Sequence, residues 1–401
     1  MKILIELYDK EPIYNYLAAA VFRPDRVYFV GDPKSVNDKC IRQTENFARI
    51  TGLESEFFYR AARSNNFDEI RREIKKILEA EHKSGNECVI DVTGGKDLAL
   101  VASGTLMCEN TEVICYDSEI NSFRLLSSGE THAVDIGIPC EAFITAAGGT
   151  VYEKTRSMNF TADEWSVIRR IIRVYFDNCG IWTKFVKYLQ RISKKDGEKI
   201  GDSLFIDAPL TVNEGGKKFE CNSAIMQELE AAGAIKSVEL SKNNIRFRYA
   251  SSDLANLLAN EGVWLELSVY LTAKGMPEIF DAQTGVKFVW DIPEKGRSIG
   301  SVLSDNVPRN EVDVVLSKGV VPYFISCKTR MPVNEDLNEL YALKENFGGE
   351  LAVAIMATTK YVDTDTPIYE RAKAMGIGII DERNFRNGTV AERLLRLGGK
   401  K

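Results

Sequence analysis

The 401-residue sequence has few of the features that define several common protein classes. It contains only two histidines, His82 and His132, and none of its eight cysteines forms a Cys-x-x-Cys pair. A zinc site or a histidine-based triad is therefore not expected, and the thiols are predicted to be reduced. No run of about 18 apolar residues is present and no signal peptide precedes the strand-like Lys2–Leu7, so we predict a cytoplasmic protein without membrane association.

Positive charge is also scarce, since the formal net charge is −6. A protein that binds duplex DNA permanently usually carries a basic face. Any nucleic-acid contact is therefore predicted to be local, metal-assisted or switched on by another molecule. The apolar content of 44% and the charged content of 27% are ordinary for a globular protein, and the length allows two or three domains with separate cores.

The first part of the chain, residues 1–149, alternates strand and helix signals. Short apolar runs predict strands, and amphipathic stretches such as Phe67–Glu81 predict helices between them. The predicted strands are Lys2–Leu7, Arg26–Val30, Glu54–Tyr59, Cys88–Val92 and Glu112–Tyr116. This alternation is typical of a parallel sheet covered by helices, and it predicts a Rossmann-like α/β domain.

The pattern changes over residues 150–259, where three helical stretches precede two short strands. The helices are predicted at Asp163–Tyr175, Trp182–Ile192 and Ser223–Ala232, and the strands at Ile235–Leu240 and Ile245–Tyr249. Three helices followed by a hairpin predict a winged-helix-like connector. Such modules bind DNA about as readily as they serve as spacers.

Residues 260–401 form the third part, in which an apolar helix, a hairpin, a second helix and buried strands follow one another. The first helix contains one isolated charge, Glu266. Asp313 interrupts the first apolar strand of the hairpin, and Lys328 ends the second. A half-buried acid in an apolar strand needs a partner, so we interpret Asp313 and Lys328 as functional residues.

A glycine turn in the first part is the second motif. The strand that ends at Val92 is followed by Thr93-Gly94-Gly95-Lys96, with a helix predicted to begin near Lys96. Backbone N–H groups at such a helix start, with the Thr93 hydroxyl and the Lys96 ammonium group, form an anion site. A tight turn that needs glycine for its backbone angles is the alternative explanation. Neither Gly-x-Gly-x-x-Gly nor a Walker A loop is present, which disfavours nicotinamide and ATP cofactors.

The Asp-x-Thr-Gly-Gly-Lys turn that begins at Asp91 resembles the signature of CARF (CRISPR-associated Rossmann fold) domains, which bind cyclic oligoadenylates. The resemblance implies a ligand site built from this turn and from the loop after the first strand, with Gly31-Asp32 as a further candidate. The implied ligand-contacting residues are Tyr8, Asp9, Pro12, Thr93, Gly94, Gly95 and Lys96.

The hairpin resembles the active-site layout of the PD-(D/E)XK, restriction-endonuclease-like nucleases. The resemblance implies that Asp313, Lys328 and Glu266 are catalytic. It also implies a divalent metal, Mn²⁺ or Mg²⁺, held by Asp313, Glu266 and the backbone carbonyl of Cys327. Ser326 stands where this pattern has an acid.

Three other acids are candidates to replace the carboxylate that is missing at Ser326. Glu311 lies two residues before Asp313 and so shares its strand face. Glu335 and Glu339 lie on the helix predicted to follow the hairpin. For each of them, a solvated surface position is the alternative.

Taken together, the chain resembles the single-CARF ancillary nucleases of type III CRISPR systems. The resemblance implies a CARF domain at 1–149, a winged-helix-like connector at 150–259 and a nuclease domain at 260–401. It implies a homodimer that binds a cyclic oligoadenylate, most often cyclic tetra-adenylate (cA4), and then cleaves DNA or RNA. The alternative is a catalytically weak or inactive oligoadenylate-responsive regulator that binds DNA, although the acidic Ser223–Glu230 disfavours it as a recognition helix.

Overall fold

The computed structural model describes residues 1–8, 11–108, 110–154, 160–193, 203–290, 300, 303 and 309–399. The first part folds around one seven-stranded sheet. Its strands are β1 (Lys2–Leu7), β2 (Arg26–Gly31), β3 (Glu56–Ala61), β4 (Glu87–Asp91), β5 (Thr111–Asp117), β6 (Ser122–Leu125) and β7 (Thr131–Ala133). Their spatial order is β3-β2-β1-β4-β5-β6-β7, parallel from β3 to β5 and antiparallel thereafter.

Helices cover both faces of this sheet. They are α1 (Tyr14–Phe22), α2 (Asp38–Thr51), α3 (Phe67–Lys83), α4 (Asp97–Gly104) and α5 (Cys140–Ala146). The apolar residues of α3 recur at helical spacing and are buried on one face, whereas Tyr16 of α1 and Phe47 of α2 are buried on the other. Strands covered on both faces are mostly apolar, as β1 is apart from Lys2 and Glu6. The predicted Rossmann-like domain is confirmed.

The connector contains the predicted helices and hairpin together with three further strands. Its elements are α6 (Ala162–Asp177), α7 (Cys179–Ile192), β9 (Phe205–Pro209), β10 (Thr211–Glu214), β11 (Lys217–Glu220), α8 (Ser223–Ala232), β12 (Ile235–Leu240), β13 (Asn244–Tyr249) and α9 (Ser252–Leu258). The β12–β13 hairpin pairs with β9, and β10 pairs with β11. Gly233 ends α8 in the left-handed conformation (φ 83°), which glycine adopts without steric cost.

The third part is built on a six-stranded sheet in the order β18-β17-β16-β15-β14-β8. Its strands are β8 (Thr150–Glu153), β14 (Asp281–Val289), β15 (Arg309–Lys318), β16 (Val321–Lys328), β17 (Val353–Thr358) and β18 (Ile377–Ile380). The helices are α10 (Val263–Lys274), α11 (Asn334–Phe347), α12 (Pro367–Ala374), α13 (Glu382–Arg386) and α14 (Val390–Gly398). Strands β16, β17 and β18 are parallel, and the others pair antiparallel.

One hydrophobic core joins the connector to the third part. Helices α6, α7 and α8 pack in the same cluster as α10 and the apolar residues of β15 and β16 that face it, and Trp182 of α7 contacts Trp264 of α10 edge to face. Helix α10 is buried on nearly all sides. In the described part of the chain, no helix has the length and apolar character of a membrane span.

The turn between β15 and β16 contacts the first part directly. The backbone N–H of Ile138 donates to the Gly319 carbonyl (3.0 Å), and the Ser317 hydroxyl donates to the Ile138 carbonyl (2.5 Å). Val320 is 1% exposed and packs in the core of the first part with Ile138 and Tyr116. The turn of this hairpin therefore packs in the core of the first domain, whereas its two strands belong to the sheet of the third part.

Candidate functional site

A small pocket lies at the carboxyl ends of β1 to β4, where β1 and β4 are neighbours and the chain order of the sheet reverses. Open α/β sheets bind ligands at such a switch point. The pocket has a volume of about 70 Å³. Its mouth is formed by Tyr8, Gly31-Asp32, Ser64 and Gly95-Lys96, which come from the loops after all four strands. Three separately predicted stretches thus meet at one place.

Two glycines of this pocket, Gly95 and Gly31, leave little room for a side chain because the strand ends approach closely. A Cβ at Gly95 would lie 2.6 Å from a methyl carbon of Leu7, and one at Gly31 would lie 3.0 Å from Tyr8. Neither distance accommodates a side chain without displacement of its neighbours. The glycines therefore keep the loops close enough for their backbone and polar groups to face one ligand.

The polar groups at the pocket combine one cation with one acid. The Lys96 ammonium group donates to the Ser64 hydroxyl (3.3 Å), which in turn donates to Asp32 (3.4 Å). The backbone N–H of Lys34, the bonds from Ser64 and the charge of Lys96 lower the pKa of Asp32. A cation beside an ionised acid suits a ligand with phosphate and with hydroxyl or amino donors, as nucleotides have.

Thr93 faces the sheet, where it secures the turn. Its backbone N–H (2.9 Å) and its hydroxyl (2.5 Å) both donate to Oδ1 of Asp91, and the hydroxyl accepts from the backbone N–H of Tyr116 (2.9 Å). Pro12, in the turn before α1, is not among the residues that line the described pocket, and Asp9 lies outside the described residues.

Two buried acids beneath the turn were not predicted as functional residues. Glu6 of β1 and Asp91 of β4 are each 0% exposed and are direct cross-strand neighbours. Within the described structure, neither oxygen of Glu6 accepts a hydrogen bond, and neither does Oδ2 of Asp91. Burial raises the pKa of Asp91 to about 7, and burial with the charge of Asp91 raises the pKa of Glu6 well above its usual range. The sequence feature that could have identified each of them is an acidic residue inside an otherwise apolar strand.

The hairpin of the third part opens at Asp313. The last paired residues of β15 and β16 on this side are Val314 and Ile325, whereas β16 continues to pair with β17 as far as Lys328. Beyond that point Oδ2 of Asp313 accepts the backbone N–H of Cys327 (2.6 Å) and the Ser326 hydroxyl (3.3 Å). The side chain thus replaces a strand-to-strand bond, which explains how an acid fits in this apolar strand.

Residues of β16 alternate between two helices. Cys327 packs on the α10 side, and burial together with the charges of Asp313 and Glu266 raises the pKa of its thiol, while Lys328 opposes this effect. Lys328 faces α11, where its Nζ lies 3.7 Å from Oδ1 of Asp336. The structure therefore brings Asp313, Cys327 and Lys328 together, with Glu266 on the α10 side and Lys328 on the α11 side.

Asp336 and Arg330 were not predicted as site residues. Asp336, at the start of α11, is 5% exposed and accepts hydrogen bonds from Nη1 (2.7 Å) and Nη2 (2.9 Å) of Arg330 and from the backbone N–H of Val333 (2.9 Å). Burial alone would raise the pKa of Asp336, but these bonds and the charge of Lys328 lower it overall. These partners are only three to eight residues away in sequence, but no pattern in the sequence shows that Asp336 is buried against them.

The three acids considered as replacements have other charged neighbours. Glu311 is the cross-strand partner of Lys287, whose pKa is raised first by Glu153 and then by Glu311. Glu335 and Glu339 are exposed on α11 and contribute to the raised pKa of Arg330.

The oxygen atoms around Asp313 determine whether the implied divalent metal could bind there. Among the described residues, no group of three or more His, Cys, Asp or Glu side chains is arranged for metal binding. Mg²⁺ does not need such a group, because it often binds one or two carboxylates, waters and the phosphate of its substrate. The Asp313 carboxylate and the Cys327 carbonyl fit a cation of that kind.

Solved structures with a fold similar to that of this chain include the following three. Protein VC1899 from Vibrio cholerae is 16% identical with a TM-score of 0.76, covering 100% of this chain and 99% of that chain. Can2 from Sulfobacillus thermosulfidooxidans, in complex with cA4, is 15% identical with a TM-score of 0.68, covering 100% of both chains. A type III CRISPR defence DNA nuclease activated by cyclic oligoadenylate is 16% identical with a TM-score of 0.54, covering 91% of this chain and 46% of that chain.

A scan against protein-family models finds no match, and neither does a search of curated proteins. The structural likeness to VC1899 and Can2 extends over the whole chain and confirms the predicted fold. This chain therefore shares the overall fold of VC1899 and of Can2.

Proposed function

We propose that this chain is a cyclic-oligoadenylate-activated, metal-dependent nuclease that cleaves DNA or RNA in type III CRISPR defence. The observation that carries the proposal is the opening of the hairpin, where Asp313, the Cys327 backbone and Lys328 converge in a chain that also has a switch-point pocket. The names of two structural neighbours, Can2 with cA4 and the cyclic-oligoadenylate-activated DNA nuclease, support the same function.

In this proposal Asp313 and the Cys327 carbonyl hold Mn²⁺ or Mg²⁺, which when bound polarises a phosphodiester and acidifies an attacking water. The Asp313 carboxylate is held in place by the Cys327 N–H, so little reorganisation accompanies substrate binding. Lys328, with a 27% exposed side chain, donates to a phosphate oxygen as negative charge develops there. Glu266 is the second acid, approaching Cys327 from α10, and Glu311 is a further candidate.

The activator in this proposal is a cyclic oligoadenylate, with cA4 as the first choice. A pocket of about 70 Å³ is far smaller than the roughly 300–1,000 Å³ usual for ligand sites, so it accommodates one group of the ligand. The rest of the ring would lie across the exposed turn at Lys96. A ring with two-fold symmetry suits an isologous homodimer, in which two such turns face one ligand.

The surface of α4 supports this homodimer. Helix α4 follows Lys96 directly, and its exposed apolar side chains include Leu98 (41% exposed) and Val101 (58% exposed), with Met107 (38%) just beyond the helix. A second copy that packs on this surface would bring its own turn close to the first. The ligand and the apolar surface would then favour the same assembly.

Contacts at the hairpin turn support activation by the ligand. The turn at Gly319–Val320 packs in the core of the first domain, and the same two strands carry Asp313 and Lys328 at their other end. A displacement in the core of the first domain would therefore be transmitted through this packed hairpin to the proposed active site.

The decisive experiment incubates the protein with labelled single-stranded DNA, RNA and nicked duplex, with Mn²⁺ or Mg²⁺, with and without cA4. Cleavage that needs both the metal and cA4, and that is lost in Asp313→Ala, is the expected result. Undiminished cleavage by Asp313→Ala would place the activity elsewhere. Binding of cA4 without any cleavage would instead favour an oligoadenylate-responsive regulator.

A further inference from the structure

Lys328 and Arg330 share one buried carboxylate beside the proposed active site. Asp336 is 5% exposed, lies 3.7 Å from Lys328 Nζ, and accepts two hydrogen bonds from Arg330. A buried carboxylate holds its partners more firmly than an exposed one, because water and salt screen it less. Two cations are therefore fixed by one acid next to the opening at Asp313.

The hydrogen bonds of Arg330 leave one edge of its guanidinium group available. Nη1 and Nη2 donate to the two oxygens of Asp336, and Nη1 also donates to the Met331 carbonyl (3.0 Å). Of the five N–H groups of arginine, Nε–H and the second N–H of Nη2 remain. Within the described residues neither donates a hydrogen bond, and the side chain is 55% exposed. These two groups lie on one edge of the guanidinium plane, the arrangement that binds phosphate in a bidentate manner.

We propose that Arg330 contacts the phosphodiester beside Lys328 and that Asp336 is the positioning residue for both cations. The inference rests on the proposed nuclease function and assigns a further substrate contact within it.

Three acids near Arg330 affect its proposed contact with phosphate. Glu335 and Glu339 contribute to the raised pKa of Arg330 and would repel a phosphate. Both are exposed and screened, whereas Asp336 uses its two oxygens on Arg330 and leaves the other edge of the guanidinium facing solvent.

Arg383 offers a matched control. It forms the same kind of ion pair with a buried acid, since its Nη2 lies 2.7 Å from Asp381, which is 2% exposed, and its own side chain is 50% exposed. The pair follows β18, two strands from Lys328. Arg330→Gln and Arg383→Gln therefore remove equivalent surface arginines that differ in their distance from Asp313.

The test measures the binding of labelled single-stranded DNA and RNA oligonucleotides by fluorescence anisotropy in an Asp313→Asn background, with cA4 present. Arg330→Gln should weaken binding by about tenfold, the loss expected for one charge-assisted contact. Arg383→Gln should change it by less than about twofold, as is usual for an exposed pair. Equal affinities for the two variants would overturn the assignment of Arg330.

Asp336 is tested by a double-mutant cycle in the chain with Asp313 intact. Asp336→Asn should lower kcat with a smaller change in KM, and Arg330→Gln added to it should cost much less than Arg330→Gln alone. Additive effects would refute the positioning role. If Asp336→Asn fails to fold, because it also caps α11, Lys328→Gln combined with Arg330→Gln provides the cycle, in which coupling is again expected. Absence of cleavage by the unmodified protein refutes the nuclease function, whereas the binding comparison still decides the role of Arg330.

Discussion

The buried acid pair Glu6–Asp91 predicts an unusual dependence of stability on pH. An acid that is buried without a cation has a folded-state pKa above its unfolded value, so the folded state holds a proton that the unfolded state releases. Asp91 has its pKa raised to about 7 by burial, against 3.8 for an ordinary aspartate, and Glu6 is raised in the same direction. The favourable contribution is complete below the unfolded pKa and is lost as the pH rises through the folded pKa.

The size of the effect follows from the shift. Each unit of pKa difference corresponds to about 1.4 kcal/mol, so a change from 3.8 to about 7 amounts to about 4 kcal/mol. Roughly 2 kcal/mol of this is lost between pH 5 and pH 7, and somewhat more by pH 8. Most globular proteins are instead near their maximum stability in this range, because their acids have lowered pKa values.

Asp91→Asn removes this proton while its amide oxygen still accepts from Thr93. We expect wild type to lose about 3 kcal/mol of unfolding free energy between pH 5 and pH 8, and the variant to lose much less, so that the variant is the more stable protein at pH 8. Urea unfolding of the full-length chain at several pH values, followed by tryptophan fluorescence and circular dichroism, measures both slopes.

Asp117→Asn on β5 is the control, because hydrogen bonding to Arg124 lowers the pKa of this half-buried acid, so that its contribution to stability depends on pH in the opposite direction. The Asp117→Asn variant should lose about as much unfolding free energy between pH 5 and pH 8 as wild type does. Identical pH slopes for wild type and Asp91→Asn would refute the reasoning, since they would mean that Asp91 is ionised in the folded protein throughout this range.

Four further predictions concern the two proposed sites. Lys96→Ala should weaken cA4 binding by about 1.5–3 kcal/mol in calorimetry, because a charge-assisted contact is lost. The control Lys83→Ala, at the far end of α3, should leave the affinity unchanged. Equal affinities of the two variants for cA4 would exclude the Lys96 turn as the ligand site. Asp313→Ala should abolish cleavage while cA4 binding stays near wild type, and it should lower the melting temperature because the Cys327 N–H loses its acceptor. Chelator should abolish cleavage, and Mn²⁺ should outperform Mg²⁺ at a site with few carboxylates; full activity in chelator would contradict this. Ser326→Glu should lower the metal concentration needed for half-maximal cleavage, and an unchanged requirement would mean that this side chain does not reach the metal.

Periodicity was sufficient to predict most of the fold because the core strands and helices bury regular patterns. Helix α8 and strands β1 and β12 have the bounds that were predicted from the sequence. Strand β14 was not predicted, and its sequence explains why. Gly285 lies in its middle with a φ of 59°, a conformation that interrupts the alternation of a regular strand. The polar β10–β11 hairpin was missed because it has no apolar pattern to detect.

The candidate sites were predictable only in part, and the limit lies in sequence separation. The Lys96 turn and Asp313 break local patterns, so they are visible in the sequence. Glu6 has significance only through its register with Asp91, a contact between two strands far apart in sequence that no local window contains. Asp336 is close in sequence to Lys328 and Arg330, but its burial against both side chains is visible only in the folded chain.

The β15–β16 hairpin explains how a ligand in the first domain could influence chemistry in the third. Residues Val314–Ser317 and Tyr323–Ile325 are 0% exposed, so the hairpin is held on both faces over about 13 Å, at roughly 3.3 Å per residue. A tightly packed element moves as a unit rather than deforming gradually. The turn at Gly319 is bonded to Ile138 of the first domain, whereas the opening at Asp313 is at the other end. Displacement of this one element would therefore shift Asp313 and Cys327 relative to α10 and α11, and it would also move the core that the hairpin shares with the connector helices.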